Sequence, residues 1–375
     1  MRARNKSVDQ LNCLASGYTE DWDGAAWVPD QITDNPASWY REVLTGAQNA
    51  EPMDISLVDE DGLEDWHDWC WARNLKVNAI VRQQPVTDVL SLIAQAGFAR
   101  PRYGASMGAV MDRRRDPVGL ITQRNANGFS FSKPFPRLPH ALKVNVADED
   151  DDYEVSELTV YADGYNADGS GGKTEASRFD FITYPGITTR WQAEARARRD
   201  IRFGRHRSRL ISFTQDIEHL EHSIGSLVLL ETDVLGQIHG RGRIKSVEYA
   251  GGNVAALVMD EAPYFPEDAV EKGITIRLAD GDLLTKKVTL DQPNRIAFVT
   301  PFAMPVDGSD PLIVEGAIVA TGTYGQEARE VLIWDIAPAP DLTAQITCID
   351  YAEDAIYGAT GFSSGFSSGF GNGLY

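Results

Sequence analysis

One short motif in this chain has the residue types of a catalytic nucleophile. Gly104-Ala105-Ser106-Met107-Gly108 matches G-x-S-x-G, a pattern in which the serine stands on a sharp turn between a buried strand and a helix. The preceding residues 98–103 contain two arginines and a proline, which do not suit a central strand. The following residues 112–117 end in Asp-Pro and leave little room for a helix. We therefore interpret the glycines as part of a hairpin turn rather than as a hydrolase motif.

A pair of histidines offers a second possible chemistry. His219 and His222 stand three residues apart, whereas zinc proteases use H-E-x-x-H on a helix, with the glutamate as general base. Residues 217–224 lie between predicted strands, so the pattern predicts a loop with surface histidines. The acidic residues are too numerous for a glycosidase pair to be chosen from them. The sequence therefore names no catalytic residue and no cofactor.

The other residue types that bind metals do not occur at metal-binding spacings. The acidic run 148–152 offers hard oxygen ligands for Ca²⁺, but it lacks the glycine and the distal glutamate of an EF-hand loop. We interpret it as a solvated hairpin tip. Cys13, Cys70 and Cys348 fit neither a zinc site nor an even disulfide framework. We expect buried free thiols, which suits assembly in a reducing cytoplasm, and no metal site.

Charge is distributed unevenly along the 375 residues. The net charge of −20 argues against general nucleic-acid binding, because neutralising phosphates requires clustered lysine and arginine. Residues 190–209 are the exception, with eight arginines against two acidic residues. This segment is either a patch that binds phosphate or a partner, or one solvated or inter-subunit face of a helix, and we favour the second interpretation. The arginines kept as interface candidates are Arg196, Arg198, Arg199 and Arg202.

Helical signals are concentrated in the N-terminal third. A helix is predicted between a cap at Asn35 and a stop at Gly46. A second is predicted over 60–73 and a third over 85–97, each with apolar residues at helical spacing. The arginine-rich segment predicts a fourth helix near 190–205. No apolar run approaches the ~20 residues that cross a bilayer, so we expect no membrane insertion by this chain.

The second half has the pattern of an all-β domain. From about residue 208, short apolar runs are separated by Gly, Asp, Asn and Pro roughly every ten residues, as in barrels and sandwiches. Residues 250–253, Ala-Gly-Gly-Asn, predict a hairpin turn. Leu342, Ala344, Ile346 and Cys348 are predicted to share one buried face of the last strand. The predicted strands are 226–232, 242–247, 254–259, 283–290, 296–300, 331–336 and 342–349.

Two further segments have unusual composition. Residues 128–144 contain three prolines within six residues, which excludes a helix or a central strand there and predicts an extended segment that leads into a strand. Residues 358–373 are low in complexity, with Gly-Phe-Ser-Ser repeated. Such glycine and serine content predicts a flexible tail. The alternative is a tail that docks onto a partner through Phe362, Phe366 and Phe370.

Taken in order, several segments resemble the central region of phage tail-tip proteins, the host-specificity (lambda J-type) tail hub family. The resemblance extends over about residues 10–357, and the ordered set carries it rather than any single motif. The upstream module and the fibronectin-like downstream modules of that family are not found, so we expect one piece of a split or longer hub. The segments are NPASWY at 35–40, LEDWHDWC at 63–70, 85–97, 128–144, YADGYN at 161–166, PGIT at 185–188, TQDIEHL at 214–220 and DLTAQI at 341–346.

The resemblance and the patterns together predict an α+β, mainly β, multidomain tail-hub architecture. We expect an α/β hub domain over 1–137 and a connecting segment over 138–207, made of a β-hairpin and the arginine-rich helix. An antiparallel, barrel-like domain is expected over 208–357. Residues 358–375 form the predicted tail.

The resemblance implies a structural role in a virion, with no enzymatic activity. It predicts a homotrimer that closes the tail tube at the tail tip, is assembled in the host cytoplasm, and contacts other tail-tip and tail-tube proteins. DNA would pass through its lumen without specific binding, and an acidic lining would repel it. The alternatives are a tail-associated cell-wall hydrolase, which would clear bacterial walls in a zymogram, and a receptor-binding module, which would adsorb to host cells.

Overall fold

The chain divides into two compact units, each built from two separate stretches of sequence. The computed structural model describes residues 15–104, 106–113, 115–133, 137–232 and 240–352. The first unit comprises Met1–Met111 and His140–Arg198, and the second comprises Asp112–Pro139 and Arg199–Tyr375. This division differs from the predicted boundaries at 137 and 207, because both units are completed by strands that lie far apart in the sequence.

The described residues contain four α-helices and a larger number of short strands. The helices are α1 (Pro36–Thr45), α2 (Glu60–Trp71), α3 (Val86–Ala96) and α4 (Arg190–His206). The first strands are β1 (Tyr18–Trp22), β2 (Trp27–Ile32), β3 (Ala99–Arg102), β4 (Gly108–Met111), β5 (Leu120–Ile121), β6 (Ala126–Ser132), β7 (Ala141–Ala147), β8 (Val155–Tyr161), β9 (Tyr165–Asn166), β10 (Thr174–Glu175) and β11 (Phe179–Thr183). The remaining strands are β12 (Leu210–Gln215), β13 (Leu227–Leu230), β14 (Gly240–Ala250), β15 (Asn253–Met259), β16 (Lys272–Arg277), β17 (Leu283–Gln292), β18 (Arg295–Phe302), β19 (Val306–Asp307), β20 (Asp310–Pro311), β21 (Ile318–Thr323), β22 (Arg329–Pro338) and β23 (Ala344–Asp350).

The predicted helices are confirmed because their signals are local. In α1 the side chain of Asn35 accepts the Ala37 N–H at 3.0 Å, and Gly46 follows the last helical residue. In α2 the predicted apolar stripe is buried, with Leu63 and Trp66 fully inaccessible. Capping groups and apolar residues at helical spacing therefore mark the positions of these helices in the sequence. No helix among the described residues is long and apolar enough to cross a membrane.

We expect Asn35→Ala to lower the free energy of unfolding by about 1–2 kcal/mol, because it removes the cap of α1. The substitution also removes a buried hydrogen bond from the Asn35 side chain to the carbonyl oxygen of His67, at 3.2 Å. Urea unfolding measures the change. Asp54→Ala is the matched control, since Asp54 caps only the exposed short helix Ile55–Leu57. An equal loss in both variants would contradict this account.

A three-stranded sheet completes the first unit. Its order is β11-β7-β8, in which β7 pairs with β8 antiparallel and with β11 parallel. Val144 and Val160 lie on its buried face. The acidic run 148–152 forms the tip of the β7–β8 hairpin, as predicted, but it is not solvated throughout, since Asp148 is only 4% exposed. Asp152 turns the chain with a left-handed backbone at φ 49°. The predicted β-hairpin and arginine-rich helix are thus both present.

The second unit contains a closed antiparallel barrel of six strands, in the order β14-β15-β18-β17-β16-β21. Its interior is filled by aliphatic side chains such as Leu257, Ile274 and Val319, all fully buried. The predicted hairpin joins β14 to β15, where Gly251 and Gly252 adopt φ of 60° and 84°. Closure of the barrel leaves no unpaired strand edge. The predicted mainly β architecture with a barrel is confirmed.

The remaining strands of the second unit form an open half-barrel sheet in the order β5-β13-β22-β23-β12-β6. The closed barrel takes only 240–323 of the predicted 208–357 domain. The flanking strands β12, β13, β22 and β23 form the open sheet together with β5 and β6. Leu120 of β5 packs on Ile318 and Ala320 of the barrel. The prediction for Leu342 was wrong, since it precedes β23 at φ 64° and is 65% exposed. It supplies a turn, so only Ala344, Ile346 and Cys348 form the buried row.

Candidate subunit interface

The open sheet ends at β6, and this edge is the strongest candidate for an interface. The inner side of β6 pairs antiparallel with β12, with Ile211 opposite Phe131. Among the described residues, no strand pairs with its outer side. An unpaired row of backbone N–H and C=O groups is a ready template for another strand. β6 therefore offers seven residues of backbone to a partner.

The sequence of β6 explains its position at the edge. Phe129 and Phe131 alternate with serines, so one face of the strand is aromatic and the other is polar. Phe129 packs against Phe213 with ring centroids 5.2 Å apart, which attaches the strand to the sheet core. Phe131 points to the same side, but it is 50% exposed because no further strand covers it. This half-covered aromatic side chain makes the edge apolar as well as unpaired.

The opposite face of β6, β12 and β23 carries uncharged polar groups. The register places Ser130 of β6 beside Ser212 of β12, and Ser212 beside Thr347 of β23. The hydroxyls of Ser212 and Thr347 lie 3.2 Å apart. Thr214 and Gln345 extend the row along the strands. This row has no lysine or arginine with which to hold a phosphate backbone, and it continues on β22 with the exposed Asp335 beside Thr347.

The second half of α4 packs on the open sheet, and its arginines are held by a buried acid. Arg199 and Arg207 each donate to Oδ2 of Asp112 at 2.7 Å. Burial acts to raise the pKa of Asp112, but the two guanidinium groups outweigh it and hold that pKa below its ordinary range. The ring of Phe203 lies 5.7 Å from that of Trp334 on the sheet. This part of the arginine-rich segment therefore has a structural role within the chain.

The predicted arginine candidates are thus not equivalent. Arg196 donates to the carbonyl of Gln95 at 3.0 Å, and its guanidinium lies 5.6 Å from the ring of Phe98. Arg198 forms an ion pair along the helix with Glu194, and its side chain is 42% exposed. Arg202 is partly buried. The predicted tail residues Phe362, Phe366 and Phe370 lie outside the described residues.

The two motifs weighed for catalysis have structural explanations. The strands β3 and β4 on either side of the motif pair antiparallel, with Arg102 opposite Gly108, so the predicted hairpin is confirmed. The prediction of surface histidines was wrong, since His219 and His222 are only 7% and 8% exposed. A short helix, Ile217–Glu221, folds them inward, and His219 Nδ1 lies 2.9 Å from the Asp216 carbonyl oxygen. Burial lowers the pKa of His222.

The thiols and acidic residues form no metal centre in the described part of the chain. No group of three or more His, Cys, Asp or Glu side chains there could hold a metal ion. Cys70 and Cys348 are buried free thiols, and burial raises the pKa of each. Cys13 lies outside the described residues. The expectation of buried free thiols is confirmed for the two cysteines that are described.

Sequence reasoning missed both the β6 edge and the Asp112 cluster. The alternation of Phe129 and Phe131 with serines was a readable strand signal within the segment 128–144. That Asp112 meets Arg199 and Arg207 could not be read, since these residues are separated by 87 and 95 positions. The middle of the proline segment, residues 134–136, lies outside the described residues.

Comparison with known proteins gives low-identity structural matches only. No protein-family model matches this chain, and no curated protein matches it. A chain in the virion of a native gene transfer agent (GTA) particle aligns with 73% of this chain over 49% of its own length, at 14% identity and a TM-score of 0.30. A tail protein from Neisseria meningitidis MC58 covers 46% and 57%, at 10% identity and 0.33. The 43 kDa tail protein of prophage MuSo2 from Shewanella oneidensis covers 59% and 53%, at 10% identity and 0.29. The chain therefore spans about half the length of these solved proteins, each of which is a tail or virion protein.

Proposed function

We propose that this protein is a structural component of a phage or prophage virion, the tail-tip hub that closes the tail tube. In this proposal three copies form a ring, which joins the tube proteins to the host-attachment elements. Its partners are other copies of the chain and neighbouring tail proteins, and it performs no catalysis. The single observation that carries the proposal is the free β6 edge of a half-barrel sheet beside a fully closed barrel.

The β6 edge supports a ring because half a barrel is an incomplete structure. A protein that functions alone usually blunts such an edge with charge, proline or a covering loop. The described part of β6 has none of these, and Phe131 is half exposed on it. Pairing of this edge with a neighbouring copy would satisfy the backbone groups and bury the aromatic ring. Closed rotational symmetry then limits the assembly to a ring.

The surface chemistry also suits a conduit for DNA. In the proposed ring, the polar face with Ser130, Ser212 and Thr347 lines the lumen, and the net charge of −20 repels the phosphate backbone over longer distances. DNA would then pass without being retained. The mechanical role follows from this pairing. Because the copies are joined strand to strand, host attachment at one end of the ring can be transmitted to opening of the lumen at the other end.

We expect light scattering to give the full-length chain a mass near three times the 41.3 kDa of one chain. Phe131→Lys should reduce this mass to that of a single chain, because it puts a charge on the paired edge. Phe181→Lys is the matched control. Phe181 is 69% exposed on β11, the edge strand of the other sheet, so its charge should leave the trimer intact.

Circular dichroism of both variants checks that each remains folded. A trimer that survives Phe131→Lys but is lost in Phe181→Lys would assign assembly to β11 and overturn the argument from β6. A wild-type chain that stays monomeric at all concentrations would overturn the self-assembling ring. Clearing of bacterial cell walls by the purified chain would overturn the non-enzymatic role.

A further inference from the structure

The first unit contains a pocket that none of the preceding functions uses. It has a volume of about 530 Å³ and lies between the β1–β2 hairpin and the end of α2. Its wall combines aromatic rings with carboxylates. The lining residues are Asp21, Trp22, Asp23, Gly24, Val28, Gln31, His67, Asp68 and Trp71.

The aromatic wall is exposed where a ligand could reach it. Trp71 is 73% exposed, whereas Trp66 of the same helix is fully buried. Its ring stacks on His67, with centroids 6.3 Å apart and planes inclined by 15°. The imidazole beneath is fixed in turn, because His67 Nε2 lies 3.1 Å from Asp21 Oδ1. Trp71 is therefore a supported platform rather than a loose surface side chain.

The polar wall contains an unsatisfied group. His67 is 3% exposed, and its Nδ1 has no hydrogen-bond partner among the described residues. The nearest carboxylate oxygen, Asp68 Oδ1, lies 3.5 Å away. A buried ring nitrogen without a hydrogen bond is costly to retain. Its position in the pocket wall is typical of a site that is completed by a bound molecule.

The charges of the residues that line the pocket favour a positively charged ligand. Asp21, Asp23 and Asp68 line it, and no lysine or arginine is among its lining residues. Burial acts to raise the pKa of Asp21, but hydrogen bonds from His67 and Ser38 hold it below its ordinary range. The N–H groups of Ala26 and Ala25 lower the pKa of Asp23. Both Asp21 and Asp23 are therefore held in the charged form, so the pocket wall presents negative charge that attracts a cation.

A second cluster of tryptophan and carboxylates in the same unit already binds a cation, the guanidinium of Arg41. Close to the pocket, the Arg41 guanidinium lies 4.7 Å from the ring centroid of Trp27. It donates to both carboxylate oxygens of Glu60, with Nε–Oε1 at 2.9 Å, and it also contacts Glu20. Tryptophan and two carboxylates therefore enclose a guanidinium, which combines stacking with charge-assisted hydrogen bonds. The pocket beside Trp71 offers the same groups without an internal arginine.

We propose that this pocket binds the guanidinium group of an arginine side chain presented by a partner protein. Trp71 stacks on the planar cation, while Asp23 and Asp68 accept its N–H groups. A neutral sugar would also stack on Trp71, but it would leave the carboxylates uncompensated. The proposal is independent of the ring described above, since it concerns residues of the first unit only.

The test uses the full-length chain labelled with 5-fluorotryptophan and observed by ¹⁹F NMR. The Trp71 resonance is assigned by its loss in Trp71→Phe. Addition of N-acetyl-arginine amide should shift this resonance saturably. N-acetyl-citrulline amide, which has the same shape without the charge, should not shift it, and neither should N-acetylglucosamine. Asp23→Asn and Asp68→Asn should each weaken binding of the arginine probe about 5-fold, which is the effect of removing one exposed ion pair.

The matched control is Asp307→Asn, an exposed carboxylate outside the pocket, which should leave the affinity unchanged. Equal binding of the citrulline probe would overturn the guanidinium assignment. Binding of N-acetylglucosamine at similar concentrations would overturn it in favour of a saccharide site. A Trp71 resonance that no probe shifts would overturn the site altogether.

Discussion

Replacing Asp112 with asparagine is expected to lower the free energy of unfolding by about 3–5 kcal/mol. Asp112 receives hydrogen bonds from Arg199 and Arg207, whose side chains are only 12% and 1% exposed. Without the carboxylate, two buried guanidinium groups would repel each other, and the partly exposed Asp200 beside Arg199 would compensate them only in part. The loss should exceed that of an ordinary ion pair because water cannot reach the site to solvate them.

The measurement is urea unfolding of the wild type and of two variants. Asp200→Asn is the matched control, because Asp200 also pairs with Arg199, at 3.3 Å, but its side chain is 25% exposed. We expect this control to lose less than about 1 kcal/mol. Similar losses in the two variants would contradict a special role for Asp112.

The same cluster predicts how stability depends on pH. The arginines hold the folded-state pKa of Asp112 below its ordinary value of 3.8. The resulting stabilisation is fully present above the unfolded-state pKa and is lost as the pH falls through the lower, folded-state value. The wild type should therefore lose this stabilisation on acidification, whereas Asp112→Asn should show a shallower decrease between about pH 5 and pH 2. Parallel curves for the two proteins would contradict the coupling.

Trp66→Ala is expected to cost about 3–5 kcal/mol in the free energy of unfolding. Trp66 is fully buried in α2, and its ring meets that of Tyr40 edge to face at 5.5 Å. Its Nε1 donates to the carbonyl of Gly97 at 3.0 Å. The substitution therefore leaves a large cavity and an unpaired buried acceptor in the same place.

Trp71→Ala on the same helix is the control, because it removes the same side chain from a largely exposed position. We expect it to change the free energy of unfolding by no more than about 0.5 kcal/mol. Urea unfolding of both variants gives the comparison. A loss for Trp71→Ala as large as that for Trp66→Ala would show that the helix itself, rather than burial of Trp66, carries the stability.

The helices could be predicted from the sequence because their determinants are close together. Asn35 caps a helix only one residue away, and Leu63, Trp66 and Cys70 form a stripe within two turns. The hairpins at 148–152 and 250–253 were equally readable, since Gly251 and Gly252 tolerate the positive φ that a tight turn requires. In each case a span of a few residues contains the whole physical cause.

The division into sheets could not be predicted in this way. β5 and β6 lie between residues 120 and 132, yet they pair with β13 and β12 some 80 to 110 positions later. Alternation of side chains shows that a segment is a strand, but it does not show which strand lies beside it. For that reason 208–357 read as a single barrel, although it supplies a closed barrel and most of an open sheet.

Burial of polar groups was also decided by distant contacts. His219 and His222 have the composition of a surface loop, but the turn of Ile217–Glu221 folds them inward. Asp112 stands in a charged segment with no sign that it accepts bonds from two arginines.

By itself the sequence determined the helices, the tight turns, the mainly β character of the second half and the acidic surface, because these depend on neighbouring residues or on composition. Only the tertiary structure decided which strands close into a barrel and that β6 remains at an open edge. It alone also decided that Trp71 stands exposed above His67. These features depend on pairing and packing between distant segments, whose free energy is set by the whole fold rather than by any local pattern.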